Sequence, residues 1–126
     1  MFAEQLSFLE KVDEKEVRKI VIQLLKEYRT LKVQVENKKE CVSVGVDLFP
    51  SLRDSYNHNE LKVKQIERAL EQSLDDEELL IIEKKYLTSA RIKDIEIYIQ
   101  LGLKKDTYYD MKKRAMNRIA TALGVI

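Results

Sequence analysis

The segment LGLKKDTYYDMKKRAMNRIATALG, residues 101–124, carries the most informative set of side chains in the sequence. Lysine pairs lie on both sides of two adjacent tyrosines, and a glycine between two leucines precedes them. Lysine can donate to guanine O6 and N7 or to phosphate, an acid can accept from cytosine N4, and a tyrosine ring can lie against a thymine methyl group. These residue types suit contact with a nucleic acid if one element presents them together.

The apolar residues around Gly102 indicate two helices joined by a short turn, as in a helix-turn-helix. Glycine can end the first helix in the left-handed conformation at low cost. Five residues around the turn are expected to be buried: Ile97, Leu101, Leu103, Tyr108 and Met111. The apolar face that Tyr108 and Met111 form on the second helix is continued by Ala115, Ile119 and Ala122. A plain helical hairpin, with Tyr109 as an ordinary surface aromatic, is the other interpretation.

The opposite face of the second helix is the predicted DNA-binding face, since the first residues of that helix enter the major groove in a helix-turn-helix. Its members are Lys105, Asp106, Tyr109, Lys112 and Lys113. Tyr98 lies where a small residue is usual, because the second helix crosses closely there, so either the crossing is wider or the Tyr98 side chain leans outward.

Charge is unevenly distributed along the 126 residues, although the net charge is only +1. Residues 88–126 hold eight basic and four acidic side chains, so the C-terminal third is the candidate partner of an anion. Lysines that serve solubility alone would give the same imbalance. With 44% apolar and 36% charged residues but only three glycines and one proline, the composition predicts an all-α fold rather than a turn-rich β fold.

A single cysteine, Cys41, and a single histidine, His58, exclude an internal disulfide and a four-ligand zinc site made from Cys and His alone. We therefore expect no metal and no cofactor. No apolar run approaches eighteen residues, and Glu4 and Gln5 interrupt the apolar start at Phe2–Phe8, so neither a membrane span nor a signal peptide is predicted. The composition fits a reducing cytoplasm.

A long helix is predicted over 14–36, capped by Asp13. Six of its residues follow the a/d spacing of a coiled-coil seam: Val17, Val21, Leu24, Tyr28, Leu31 and Val35. This stripe must be buried either against the chain's own helices or against a second copy, and the second possibility predicts a homo-oligomer, most simply a dimer. Residues 1–40 are assigned to this helical, association-competent region.

Residues 41–57 are predicted to be a connector, because Val42, Val44, Val46 and Leu48 alternate like a short extended segment and Pro50 stops any helix. Residues 58–126 form the predicted DNA-binding domain. Its helices are expected at 58–73, 75–87, 91–101 and 105–121, with Ser73 or Asp75 capping the second. Their expected apolar faces include Leu61, Ile66, Ala69 and Leu70, then Leu79, Leu80, Ile82 and Tyr86, then Ile92, Ile95 and Ile99.

The run DIEIYIQLGLKKDTYYDMKKRAMNRI resembles the fourth conserved region of bacterial sigma factors, the helix-turn-helix that reads the −35 promoter element. The chain as a whole is similar to the ArpU/RinA-like family of phage and prophage transcriptional regulators. That similarity rests on TYYDMKKRAMNRIATALG and on VRKIVIQLLKEYRTLK at 17–32. It implies an all-α regulator of late packaging and lysis genes that binds double-stranded DNA.

By the sigma-like match, the base-reading positions fall on Lys105, Asp106, Tyr109 and Asp110. Lys104 occupies the usual Ser/Thr cap position, so Thr107 is expected to cap the helix instead, with Asp110 as the capping-box acid. Lys104 and Thr107 complete the predicted DNA-binding set, and Arg91 and Lys93 are predicted backbone contacts. Two acids among the four reading positions mean that −35 specificity does not carry over.

Two functions from different classes remain open. The first is a sequence-specific DNA-binding regulator, which a steep salt dependence of binding would distinguish. The second is a helical adaptor that binds RNA polymerase or another protein without touching bases, which the acidic start Asp75–Glu78 would suit. The sequence contains no phosphate-binding glycine loop and no Cys–His or His–Glu pairing, so we do not expect an enzyme.

Overall fold

The computed structural model describes residues 13–53 and 55–126, and every regular element within them is an α-helix. The helices are α1 Glu14–Val44, α2 Tyr56–Ser73, α3 Asp76–Tyr86, α4 Asp94–Gln100 and α5 Lys105–Ala122. The predicted all-α fold is confirmed. The signal-peptide prediction for Phe2–Phe8 and the first part of the 1–40 region lie outside the described residues.

Helix α1 begins where predicted, with the Asp13 side chain accepting a hydrogen bond from Lys15 N at 2.9 Å. It ends later than predicted, because it continues through 37–44 to Gly45. Gly45 takes a left-handed φ of 74°, and Val46 N donates back to Cys41 O at 3.0 Å. The predicted extended segment is therefore wrong for 42–44: alternating valines fit the last turn of a helix as well as a strand, and the glycine beyond them decides where the helix ends.

The a/d stripe of α1 is buried within the chain. Four of its six residues belong to the main hydrophobic core, namely Val17, Val21, Tyr28 and Val35, and Leu24 and Leu31 are partly buried. A dimer seam along this stripe would require α1 to separate from α2 and α5, so the stripe is corrected from an association surface to core. Self-association stays a prediction that needs another surface.

The main core joins residues from both sides of the predicted 41–57 connector. Side chains of α1 meet those of α2, α3 and α5, and the buried members include Leu25, Ile66, Leu70, Ile82, Ala115, Met116 and Ile119. The prediction of the buried faces is wrong at five positions, which are all exposed: Leu61, Leu80, Ile95, Ile99 and Ala122. Three other residues are buried: Val63, Ile81 and Ala120. Each of these helices packs against neighbours on two sides, so its buried face is rotated relative to the face predicted from the sequence.

Helix α3 is joined to α5 by a buried carboxylate. Asp75 and Glu78 form a capping box at the start of α3, with Asp75 N donating to Glu78 Oε1 at 2.8 Å, which confirms Asp75 as a cap. The Glu78 side chain is fully buried, and it also accepts from Arg114 Nε at 2.9 Å and from Arg118. Two basic residues of α5 are thereby committed to holding the helix in place.

Candidate nucleic-acid interface

The turn between α4 and α5 has the geometry expected from the glycine. Gly102 has a φ of 67°, Gly102 N donates to Ile99 O at 3.1 Å, and Leu103 N donates to Tyr98 O at 2.9 Å. A Cβ at Gly102 would meet no atom within 4 Å. Glycine is therefore needed for its backbone dihedral rather than for space.

A second apolar cluster fixes the two helices at this turn. Ile81 of α3, Ile97 of α4 and Tyr108 of α5 are fully buried and in contact. Partly buried residues surround them: Ile92, Tyr98, Leu101, Leu103 and Met111. All five residues predicted to lie inward around the turn are members of this cluster, two fully and three partly buried. In contrast, Ile95 and Ile99 are exposed and face away from it.

Tyr98 contributes its ring to the same cluster. The ring centroids of Tyr98 and Tyr108 are 5.6 Å apart, with their planes tilted by 49°. The Tyr98 side chain is half-buried. This agrees with the predicted alternative in which it leans outward while its ring packs against the cluster. The aromatic pair adds packing between α4 and α5.

Asp94, at the first position of α4, holds three helices together. Its Oδ1 accepts from the Tyr108 hydroxyl at 2.6 Å and from Lys112 Nζ at 3.0 Å, and Lys85 Nζ of α3 lies 3.7 Å away. Partial burial alone would raise the pKa of Asp94, but the hydrogen bonds from Tyr108 and Lys112 outweigh it, so the pKa lies below its ordinary value. Burial, and then the bond to Asp94, raises the pKa of the Tyr108 hydroxyl.

Lys112, a predicted member of the DNA-binding face, is paired with Asp94 in the structure. Its ammonium is bound to Asp94, its side chain is only 15% exposed, and it lies 5.8 Å from the Tyr108 ring centroid and 5.4 Å from that of Tyr109. Most of the Lys112 side chain is therefore covered, and its ammonium is paired within the protein. The Lys112 ammonium thus lies over the Tyr109 ring, and that ring also contacts Tyr108 edge-on at 5.2 Å between centroids.

The first turn of α5 is exposed and has no side-chain cap. Lys104 is the N-cap residue, and no side chain accepts from the first backbone N–H groups. The predicted capping by Thr107 is wrong, because Thr107 lies inside the helix, after its first two residues. Asp110 accordingly does not complete a capping box at Thr107. Lys105, Asp106, Thr107, Tyr109 and Asp110 are all exposed, so the predicted reading positions lie together in solvent.

The remaining predicted contacts are also on the surface. Lys113 is exposed and pairs with Glu14 at 3.2 Å, which brings the start of α1 beside α5. Arg91 and Lys93 are exposed in the segment leading into α4. Over residues 13–53 and 55–126, no ion pair within 4.0 Å engages Arg91, Lys93, Lys104 or Lys105.

The sequence does not point to Asp94 and Glu78 as the two acceptors that anchor α5. Its pattern indicates Glu78 only as part of the acidic helix start Asp75–Glu78 and assigns no role to Asp94. The signal that could have found them is the number of basic residues along α5, of which Lys112, Arg114 and Arg118 each have an acidic partner in the structure. This pairing is invisible in the pattern of apolar residues, because none of these three side chains belongs to the buried apolar face.

No family model, no curated protein and no solved structure matches this chain. None of the helices described here has the combination of length and apolar character that crossing a bilayer requires. Nor do the described residues contain a group of three or more His, Cys, Asp or Glu side chains arranged to hold a metal ion.

Proposed function

We propose that this protein is a sequence-specific regulator of transcription that places the first turns of α5 in the major groove of double-stranded DNA. The observation that carries the proposal is the contrast between the two sides of α5. The inner side is fixed by Tyr108, Asp94 and Glu78, while the outer side of the first turn is exposed, basic and uncapped. A rigid helix with an open N-terminus suits insertion into a groove.

The residues at the start of α5 are unfavourable for the isolated protein. Lysines at the N-cap and first positions oppose the helix macrodipole, and a missing cap costs about 1 kcal/mol. Local rules are most often broken where function requires it. A phosphate would reverse both penalties, because it would accept from the free N–H groups and neutralise Lys104 and Lys105.

Base recognition falls to the exposed side chains that follow. Lys105 can donate to guanine, Asp106 and Asp110 can accept from cytosine, and the Tyr109 ring can lie against a thymine methyl group. Arg91 and Lys93 extend the basic surface toward the start of α4, where they would contact the DNA backbone.

The biological setting is proposed from the resemblance to phage late-gene regulators. In that setting the protein activates packaging and lysis genes in a bacterial cytoplasm, and it binds as a homo-oligomer that doubles the few base contacts of one helix-turn-helix. The second candidate, an adaptor for RNA polymerase or another protein, is favoured by Ile95 and Ile99. These two side chains are 50% and 66% exposed on the outer side of α4 and would suit an apolar protein contact.

Selection from a random-sequence duplex library tests the proposal directly. We expect an enriched motif, and fluorescence anisotropy on that motif should show binding that weakens steeply between about 50 and 200 mM salt, as phosphate contacts require. Absence of binding to the library even at low salt would contradict DNA recognition and leave the adaptor function. Uniform binding without any enriched motif would contradict sequence specificity.

A further inference from the structure

The far end of α1 and the segment after it form an exposed apolar surface, here called the tip. Large apolar side chains follow one another between Val42 and Leu52, and all of them are exposed: Val42, Val44, Val46, Leu48, Phe49 and Leu52. Phe49 is 85% exposed and Leu52 fully so. Residues 36–44 of α1 include no buried side chain, so the helix projects beyond the core that ends at Val35.

The apolar area of the tip lies at the upper end of what a monomer usually exposes. Six such side chains expose on the order of 600 Å² of apolar surface, taking about 100 Å² for each. The largest apolar patch on a typical monomer is about 300–600 Å². A standard interface takes about 800 Å² from each partner, so the tip with a polar rim supplies one side of such an interface.

The tip also contains an open groove beside exposed apolar side chains. Phe49, Pro50 and Leu52 line this groove with Val33 and Cys41 of α1. Val42 and Val44 are exposed at the same end of the helix. A surface that has a groove beside exposed apolar side chains can pair with a copy of itself about a two-fold axis, with apolar side chains of each copy entering the other copy's groove. The 41–53 segment has one acid, Asp47, and one base, Arg53, so like-charge repulsion would not oppose self-pairing.

We propose that the tip is a homodimer interface, whose occupant is the tip of a second copy of this chain. Helix α1 places this interface far from the proposed DNA-binding face. At one end of the helix, Glu14 pairs with Lys113 of α5. Val44, at the other end, lies about 45 Å from Glu14, because an α-helix rises about 1.5 Å per residue. Two copies joined at their tips therefore keep both α5 helices uncovered. The inference stands on the apolar surface alone and does not require that the protein bind DNA.

Sedimentation equilibrium of the full chain over a wide concentration range tests the interface. We expect a monomer–dimer equilibrium for the wild type, and Phe49→Asp and Leu52→Asp should each raise the dimer dissociation constant at least about tenfold. Both side chains are so exposed that the fold should be unaffected, which circular dichroism can verify. Leu61→Asp, at an exposed apolar position of α2, is the matched control and should leave the constant unchanged.

The lone cysteine gives a second measurement. Cys41 is half-buried in the groove, so dimerisation should slow its alkylation by iodoacetamide as the protein concentration rises, and Phe49→Asp should abolish that protection. A wild-type mass that stays monomeric at every concentration would overturn the proposal. A dimer that persists in both aspartate variants, or open-ended assembly beyond the dimer, would overturn it equally.

Discussion

The Tyr108 hydroxyl donates a hydrogen bond of 2.6 Å to Asp94, and this bond ties α5 to the first residue of α4. Lys112 donates to the same oxygen at 3.0 Å. Asp94 therefore links the buried Tyr108 ring to Lys112, whose ammonium lies beside the Tyr109 ring. Any change at Asp94 should act on the stability of the domain and on the position of the exposed tyrosine together.

Asp94→Asn should lower the free energy of unfolding by about 1–3 kcal/mol, because it removes the charge from two hydrogen bonds. Urea denaturation of the wild type and the variant measures this difference. Asp110→Asn is the control, since Asp110 is exposed and should change stability by less than about 0.5 kcal/mol. Equal stability of all three proteins would mean that Asp94 contributes nothing to the anchoring of α5.

The contribution of Asp94 should depend on pH in the acid range. Because the folded-state pKa of Asp94 lies below its unfolded value, its stabilisation is present above that unfolded value, about pH 4, and is lost as the pH falls through the folded pKa. The stability difference between the wild type and Asp94→Asn should therefore be constant from about pH 5 to 7 and shrink below about pH 4. A difference that grows on acidification would contradict this assignment.

Glu78→Gln should cost about 1–3 kcal/mol of unfolding free energy, since it weakens charge-assisted bonds to Arg114 and Arg118. The loss should stay below the roughly 3–5 kcal/mol that is typical of breaking a fully buried pair. The reason is that both arginines are partly exposed and can regain water. Thermal or urea unfolding measures the loss, and Glu77→Gln at the exposed neighbouring position is expected to be nearly neutral.

The turn was predictable from sequence because its determinants are local. Gly102, Ile97 and Tyr108 are close along the chain, so helical spacing alone places the two apolar side chains inward and the glycine between them. The anchoring bonds were not predictable in the same way. Asp94 lies 14 and 18 positions from its partners, Tyr108 and Lys112, and helical periodicity gives no information about which residues meet over such separations.

The stripe on α1 shows a related limit. Its spacing established that one face of the helix is buried, but a spacing cannot tell whether the covering helices come from the same chain or from a second copy. The end of α1 was misplaced for a similar reason: Val42 and Val44 fit an extended segment in isolation, whereas the preceding helix and Gly45 determine their conformation.

Removing the lysine pair at the start of α5 should lower the salt dependence of DNA binding. For Lys104→Gln with Lys105→Gln, we expect the slope of log K against log [salt] to fall in magnitude by about 2, since each phosphate that is no longer neutralised accounts for roughly 0.9. Lys38→Gln with Lys39→Gln, an adjacent exposed pair toward the other end of α1, should leave the slope unchanged. If both double variants behave alike, the lysines of α5 serve solubility only.

Tyr109 should contribute to specificity rather than to general affinity. Tyr109→Ala is expected to weaken binding to the selected motif by about 1–3 kcal/mol and to random duplex by much less, because a base contact exists only on the correct sequence. Competition anisotropy with both duplexes measures the two losses. Tyr109→Phe should retain binding if the ring meets a thymine methyl group, and should lose it if the hydroxyl makes the contact.

Lys112→Met provides the complementary test, since methionine keeps an unbranched side chain but lacks the ammonium that lies between Asp94 and the Tyr109 ring. If Lys112 supports Tyr109, the variant should lose motif binding more than random binding, and its salt slope should stay close to that of the wild type. If Lys112 instead leaves Asp94 to neutralise a phosphate, binding to both duplexes should fall alike and the slope should drop by about 0.9. The second result would return Lys112 to the DNA-binding face and remove the physical basis for a positioned tyrosine.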